Sequence, residues 1–459
     1  MTEHNTTECL LFPELCERPV VAEFDQRQGS SDGGAILLGA ADRRLGLTAA
    51  LAASLEDARE PGKVQHELIE LLRQRVLAVA CGYADGNDAA RLASDPVHKL
   101  LVGRDPIDGE DLASQPTLSR FENGRDRRQL FRLTEALANC VIERHRRRLH
   151  GRVRRITIDL DPSDDPTHGA QQLSFFNGHY DTWCYLPVLA FLTFGEEAEQ
   201  YLVAAVLRPG NAPASRGAVG ILRRLTGRLR RAFPRAVLRV RLDGGFATPE
   251  VFDFLDGEPG LEYLVNMASN AVLERRAQPA LRQARRLSEK SGQTEHVYGE
   301  CGYAAKSWPR RRRVVYKAEV VRAAGQEPKE NPRFVVTNLK QNPQWVYERV
   351  YCPRGEIENR IKELHDGMEI GRTSCTSFWA NAFRVVLTAA AYVLLQELRL
   401  RLARTDCARA QVSTLRERLL KLGARMVVSV RRIVLHLPWS YPYRDSFRRL
   451  ALSLGALSG

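Results

Sequence analysis

The run Arg155-Ile156-Thr157-Ile158-Asp159-Leu160-Asp161 decides how the chain is read. Upstream of it apolar residues recur at helical spacing, whereas within it they alternate with polar ones at the period of two that a β-strand gives its faces. Ile156, Ile158 and Leu160 fall on one face and Asp159 and Asp161 on the other. Two carboxylates on one strand face repel each other unless a cation lies between them, so this strand is the first place to look for a site.

Working outward toward the C-terminus, residues 186–192 (LPVLAFL) and 201–207 (YLVAAVL) read as apolar strands, and the Arg-rich residues 217–233 as a helix. Residues 236–242 form a further strand that runs into Asp243-Gly244-Gly245, and residues 261–266 another. Three strands, helix, strand, helix, strand predicts an α/β fold, a mixed sheet flanked by helices. Short β runs return between about Val297 and Val350, among them residues 314–321 and 333–338, and predict a β-rich insertion. Helix resumes near Ile357 and continues into an Arg-rich tail.

Toward the N-terminus, residues 65–79 and 128–145 repeat apolar positions at helical spacing. Between them, residues 114–124 have a capping Ser, Pro in the first turn and Gly at the end. That segment reads either as the recognition part of a helix-turn-helix or as an ordinary capped core helix. The expected organisation is a helical DNA-binding or dimerisation domain over 1–150, a catalytic core over 151–270 and 351–405, the β-rich insertion over 271–350, and a basic helical region over 406–459.

The chain has 459 residues with 68 Lys+Arg against 55 Asp+Glu, a formal charge of +13 that favours a polyanionic partner. Nine Cys without a C-x-x-C pair fit reduced thiols, so neither disulfides nor structural zinc are expected. The opening MTEHNTTECL lacks the pattern of a secretory signal, and the apolar stretch 385–395 is shorter than a bilayer span, so a soluble, cytoplasmic protein with no membrane partner is expected. No P-loop or dinucleotide fingerprint calls for ATP or NAD.

Two more acids join the strand pair as candidates. Asp243 ends a strand and is followed by Gly244-Gly245, which admits a close approach to its carboxylate. In Tyr351-Cys352-Pro353-Arg354-Gly355-Glu356-Ile357-Glu358 a helix starts after Gly355, with Arg354 one turn before Glu358. Taken singly these are ordinary features, since strand-end Asp residues cap turns and Glu among Arg on a helix is usually a solvated pair.

Taken in order, they form a longer pattern. Gly82-Tyr83-Ala84-Asp85-Gly86-Asn87-Asp88 with Asp95-Pro96 is followed by Gln115-Pro116-Thr117-Leu118-Ser119-Arg120. Asp159-Leu160-Asp161 with Asp164-Asp165-Pro166-Thr167-His168-Gly169 comes next, then Arg241-Leu242-Asp243-Gly244-Gly245-Phe246 and the run from Arg354 to Glu363. In these pieces the sequence resembles the insertion-sequence transposases of DDE group 1, the "thirteen-eighty" family, over nearly its whole length. Related transposases carry a Tyr, two residues, Arg, three residues, Glu, six residues, Lys signature. Tyr351, Arg354 and Glu358 fit it and select Glu358 over Glu356, while His365 stands at the Lys position and Lys362 is a substitute one turn after Glu358.

The resemblance implies a ribonuclease H-like fold and two Mg²⁺ or Mn²⁺ ions held by Asp161, Asp243 and Glu358. Asp161, which precedes Pro162-Ser163, ranks above Asp159 as first acid, with Asp159 an alternate or supporting one. Tyr351, Arg354, Lys362 and His365 are the implied DNA contacts. The implied activity is cleavage at insertion-sequence ends and strand transfer, with terminal inverted repeats and target DNA as partners, a homodimer on DNA, and a cytoplasmic, nucleoid-associated location. The rival readings are a ribonuclease H-like nuclease or resolvase that cuts without joining, and an inactive DNA-binding regulator. Arg310 to Arg313, residues 144–155 and residues 223–231 are candidate backbone-binding strips, and Trp308 and Trp345 read as core.

Overall fold

The alternation at 155–161 becomes a central strand of the computed structural model, which describes residues 9–323 and 325–457. The outermost residues of the expected 1–150 and 406–459 segments lie outside the described residues. In chain order, β1 (Cys9–Phe12) and β2 (Val20–Glu23) pair only with each other, and β3 (Gly29–Ser30) follows. Then come β4 (Arg155–Pro162), the short β5 (Asp165–Pro166), β6 (Phe175–Asn177) and β7 (Thr182–Tyr185), and β8 (Val188–Phe194) and β9 (Tyr201–Val206). The remainder are β10 (Val237–Leu242), β11 (Glu262–Met267), β12 (Glu295–Tyr303), β13 (Arg312–Val321), β14 (Lys329–Glu330), β15 (Arg333–Thr337), β16 (Ala424–Ser429) and β17 (Arg432–His436).

The main sheet runs β12-β13-β15-β11-β10-β4-β8-β9, with β14 on β13. It is mixed: β4, β10 and β11 are parallel, and the pairings outside them are antiparallel. The parallel strands need crossovers, and helices Ala218–Ala232 and Pro249–Gly257 supply them. Parallel neighbours end together, so the carboxyl ends of β4 and β10 lie side by side, which is where open α/β sheets place their ligands.

Helix Phe378–Arg401 packs against β9 and helices Leu68–Ala80 and Arg127–Arg148. It is long and apolar enough to cross a membrane, longer than the 385–395 stretch read from sequence, and most of it is buried inside the fold. Truncating a buried side chain such as Phe383 to alanine costs about 3–5 kcal/mol. A buried network ties the N-terminal helices to it, with Arg75 Nε and Arg384 Nε each 2.7 Å from the Glu122 carboxylate. Glu122, Leu118 and Phe121 hold helix Gln115–Asn123, the segment with two readings in sequence, to this core.

Two segments differ from their sequence reading. The stretch 271–350 opens with a helix, Ala271–Ser291, whose Leu273, Ala277, Leu281 and Ala284 are buried, and β12, β13 and β15 extend the main sheet rather than forming a separate module. The stretch 406–459 read as helical contains the hairpin β16–β17, in which β16 also pairs with β3 from the other end of the chain. Arg residues interleaved with Val and Ile mask that β alternation.

Candidate active site

Asp161 lies at the end of β4, 9% exposed, and Asp243 follows the last residue of β10. The Asp243 carboxylate accepts a hydrogen bond from Gly245 N at 2.9 Å. A Cβ on Gly245 would stand 2.7 Å from Ala214 Cβ and 3.3 Å from Asp243 Oδ1, so only glycine leaves that carboxylate where it is.

One helical course from Pro343 to Gly367 passes over this sheet end. Pro353 has no N–H for the helix ladder, and the course widens into π turns at Val346–Tyr351 and Glu363–Gly367 around the α-helical Glu356–Lys362. Tyr351, Arg354 and Glu358 follow one another at helical spacing. Arg354 Nη2 donates to Asp161 Oδ1 at 2.6 Å, and its buried Nε has no partner among the described residues. Burial raises the Asp161 pKa to about 7; Asp243 and Glu358 add to the rise and Arg354 opposes it. The three acids thus share one electrostatic field, although their oxygens do not all lie within 4.8 Å of one another.

Asp159 occupies a different environment. It is fully buried one pleat back, and Arg241, its register partner on β10, makes two hydrogen bonds of 2.7 Å to its carboxylate. Arg241 also reaches Val350 O at 3.0 Å, so the pair fastens sheet to helix. Behind it a cleft of about 610 Å³ is lined by Arg155, Arg239, Arg349 and Trp345. Trp345, read from sequence as core, is 40% exposed there, because it sits on the outer side just before the π turn. Trp308 is core, packed against Phe252 and Tyr303.

His365 Nε2 lies 2.8 Å from Ser163 Oγ, two residues past Asp161, and burial lowers its pKa. Lys362 is exposed and makes no side-chain hydrogen bond among the described residues. Glu356 is exposed and accepts from Asn359, and the buried Glu363 carboxylate is taken up by Arg360, Arg399, Tyr392 and Val412 N. Part of each Arg run is committed within the protein: Arg144 pairs with Glu397, Arg148 with Glu197, Arg228 with Glu135 and Arg312 with Asp256.

Sequence reasoning missed two residues here. Tyr180, on the turn between β6 and β7, has its pKa raised by burial and then by Asp164, Asp161 and Asp243. Arg208 is buried and donates to the carbonyls of Leu186, Pro213, Ala214 and Arg216, leaving Nη2 without a partner. Burial pulls its pKa down to about 10, with Tyr180 and Asp243 opposing. Only the Pro209-Gly210 turn beside it marked the place, and Gly210 is required because a Cβ there would lie 2.0 Å from Cys184 O.

A second cluster brings Asp32, Cys81 and His98 together with ligand atoms within 4.8 Å. Both Asp32 oxygens are engaged, by His98 Nε2 at 2.9 Å and by the Lys421 ammonium at 2.8 Å. A cation there would have to displace that ammonium, so the cluster is an ion-pair clasp.

Carboxylates gathered beyond the ends of parallel strands, with an arginine among them, suit a divalent cation and a phosphate. Residues 12–458 match the family described as transposase DDE domain group 1, and the chain belongs to that family. Membership makes it a transposase in general class, a polynucleotidyl transferase whose partner is DNA. No curated protein matches the chain.

Proposed function

We propose that this chain is an insertion-sequence transposase with a ribonuclease H-like core, cutting DNA at terminal inverted repeats and joining the ends to target DNA by phosphoryl transfer. Asp161, Asp243 and Glu358 are the catalytic acids, and a homodimer on DNA in the cytoplasm is the working assembly. The observation that carries the reading is the 2.6 Å contact of Arg354 Nη2 with Asp161 Oδ1, which holds the helical course bearing Glu358 against the end of β4, beside Asp243, although 193 positions separate Arg354 from Asp161 in sequence.

The donor set fits hard cations: three carboxylates outnumber the two guanidiniums, Arg354 and Arg208, that face them, which leaves the site short of positive charge. Two Mg²⁺ or Mn²⁺ ions held by Asp161, Asp243 and Glu358 would supply Lewis acidity at phosphate oxygens and activate the attacking hydroxyl. Arg354 holds Asp161 and keeps its free Nε for a phosphate oxygen. Tyr351 offers a hydroxyl beside the same acids, and the unpartnered Arg208 Nη2 adds a donor on the Asp243 side. His365 positions the loop after Asp161 through Ser163, and the exposed Lys362 is left for the DNA backbone. Asp159 keeps its charge committed to Arg241 and holds the sheet and helix in register.

The test is Glu358→Gln, assayed by gel shift and by cleavage and joining on an end fragment with Mg²⁺ or Mn²⁺. The amide keeps the shape and removes the charge, so both chemical steps should be lost while DNA affinity, which rests on cationic contacts, stays near the parent value. Cleavage near the parent rate would remove Glu358 from the site.

A further inference from the structure

The hairpin β1–β2 stands apart from the rest of the chain. From Cys9 to Arg27 every residue is exposed except the half-buried Val20 and Ala22. The hairpin register places Leu10 opposite Ala22 and Phe12 opposite Val20, so one face is wholly apolar. Leu11 and Val21 put apolar groups on the other face as well. Leu10, Leu11, Phe12, Leu15 and Val21 are all about half exposed or more, and Phe24 is 89% exposed. A lone two-stranded hairpin is marginal in water, and an apolar patch of this kind marks a contact surface. The hairpin and its turn carry Glu14, Glu17 and Glu23 against Arg18, in a chain of net charge +13. Nucleic acid and anionic lipid are therefore poor partners, and a basic protein surface is a good one.

The same chain presents such a surface. The hairpin β16–β17 carries Arg425, Arg431 and Arg432 with no carboxylate between Ala424 and His436. Val427, Val430 and Ile433 are exposed on it, and Trp439 lies just beyond, 85% exposed. In the small sheet β17-β16-β3, β17 is an edge strand with no second strand paired to it among the described residues. The acidic arm enters through β3, at the opposite edge of that sheet, by the short link 24–28. Its own chain therefore meets the arm at the wrong edge.

We infer that the β1–β2 arm docks on the β16–β17 hairpin of a second copy of this chain, giving a two-fold dimer in which each copy donates an arm and receives one. A two-fold contact uses the same pair of surfaces twice, doubling the buried apolar area. The dimer of the proposed function gains a specific interface here, and none of Asp161, Asp243 and Glu358 belongs to the arm or to the β16–β17 hairpin.

The experiment is a charge exchange on the full-length protein without DNA, read by size-exclusion chromatography with light scattering. One variant carries Glu14→Lys, Glu17→Lys and Glu23→Lys, and the other Arg425→Glu, Arg431→Glu and Arg432→Glu. The parent should run at twice its 51.7 kDa and each variant alone at 51.7 kDa. An equimolar mixture should return to the dimer, because basic arms then meet acidic hairpins and the reverse. Unchanged far-UV circular dichroism and melting would show that the variants fold. A monomeric parent, variants that stay dimeric, or a mixture that stays monomeric would each overturn the inference. A monomeric parent would mean that the arm folds onto its own chain, and a monomeric mixture that the arm and the basic hairpin are not each other's partners. None of these outcomes bears on the acids, which the Glu358→Gln assay tests separately.

Discussion

Asp161→Asn should stabilise the protein in the absence of divalent cations, by an amount that grows with pH. In the fold this carboxyl titrates at about 7 instead of its ordinary 3.8, because it is buried beside Asp243 and Glu358. A raised folded-state pKa means that the associated stability is fully present below pH 3.8 and is lost as pH rises through about 7. Asparagine mimics the neutral acid and loses nothing over that span, and Arg354 faces an uncharged side chain at position 161 in both neutral forms. About three pH units at ~1.4 kcal/mol each put the variant roughly 4 kcal/mol ahead at about pH 8, narrowing to about 1 kcal/mol near pH 4.5. Urea unfolding of both proteins in EDTA at those two pH values measures the gap directly. Mg²⁺ should then raise the stability of the parent and leave the variant nearly unmoved, by about 2.7 kcal/mol at a hundredfold excess over Kd. A variant no more stable than the parent at pH 8, or a gap independent of pH, would refute the crowding of charge around Asp161.

Arg241→Met should cost about 3–5 kcal/mol in urea unfolding by leaving Asp159 buried and unpaired, and Asp159→Leu in the same chain should recover most of it. Gly245→Ala should slow cleavage at least about tenfold with little change in Tm, because its Cβ would press on Asp243 Oδ1 and Ala214. Arg354→Ala should weaken both cleavage and DNA binding, with the slope of log affinity against log salt falling by about one in gel shifts across a salt series.

Strand β4 was legible because its apolar and polar residues alternate at a period of two, although the fold buries both faces, and Asp243 and Glu358 were legible through the turn and helix start that hold them. Which of Asp159 and Asp161 faces the other acids was not, since both lie on one face. The answer depends on Arg241, which β10 places opposite Asp159 through a pairing of strands about 80 residues apart. For the same reason β13 and β15 were readable as strands while their membership of the main sheet was not: β15 reaches it only through β11, across the long helix Ala271–Ser291. Tyr180 and Arg208 escaped because the first sits on the β6–β7 turn and the second in the loop after β9, and such segments fix a side chain's neighbours without leaving a periodic trace.

The clasp between Asp32 and Lys421 spans 389 positions, and around it Gly33 N bonds to Leu422 O while β3 completes the edge of β16. On a ribosome adding about 5–20 residues per second, the first helices must wait roughly 20–80 s for their last partners to be made. During that interval the buried faces around Ala35 and Leu38 lack the cover later provided by Leu419 and Leu420. A message cut short anywhere before that stretch yields a chain that cannot close. The supply of active protein is therefore set by completed translation, and fragments from a broken reading frame are material for chaperones and proteases.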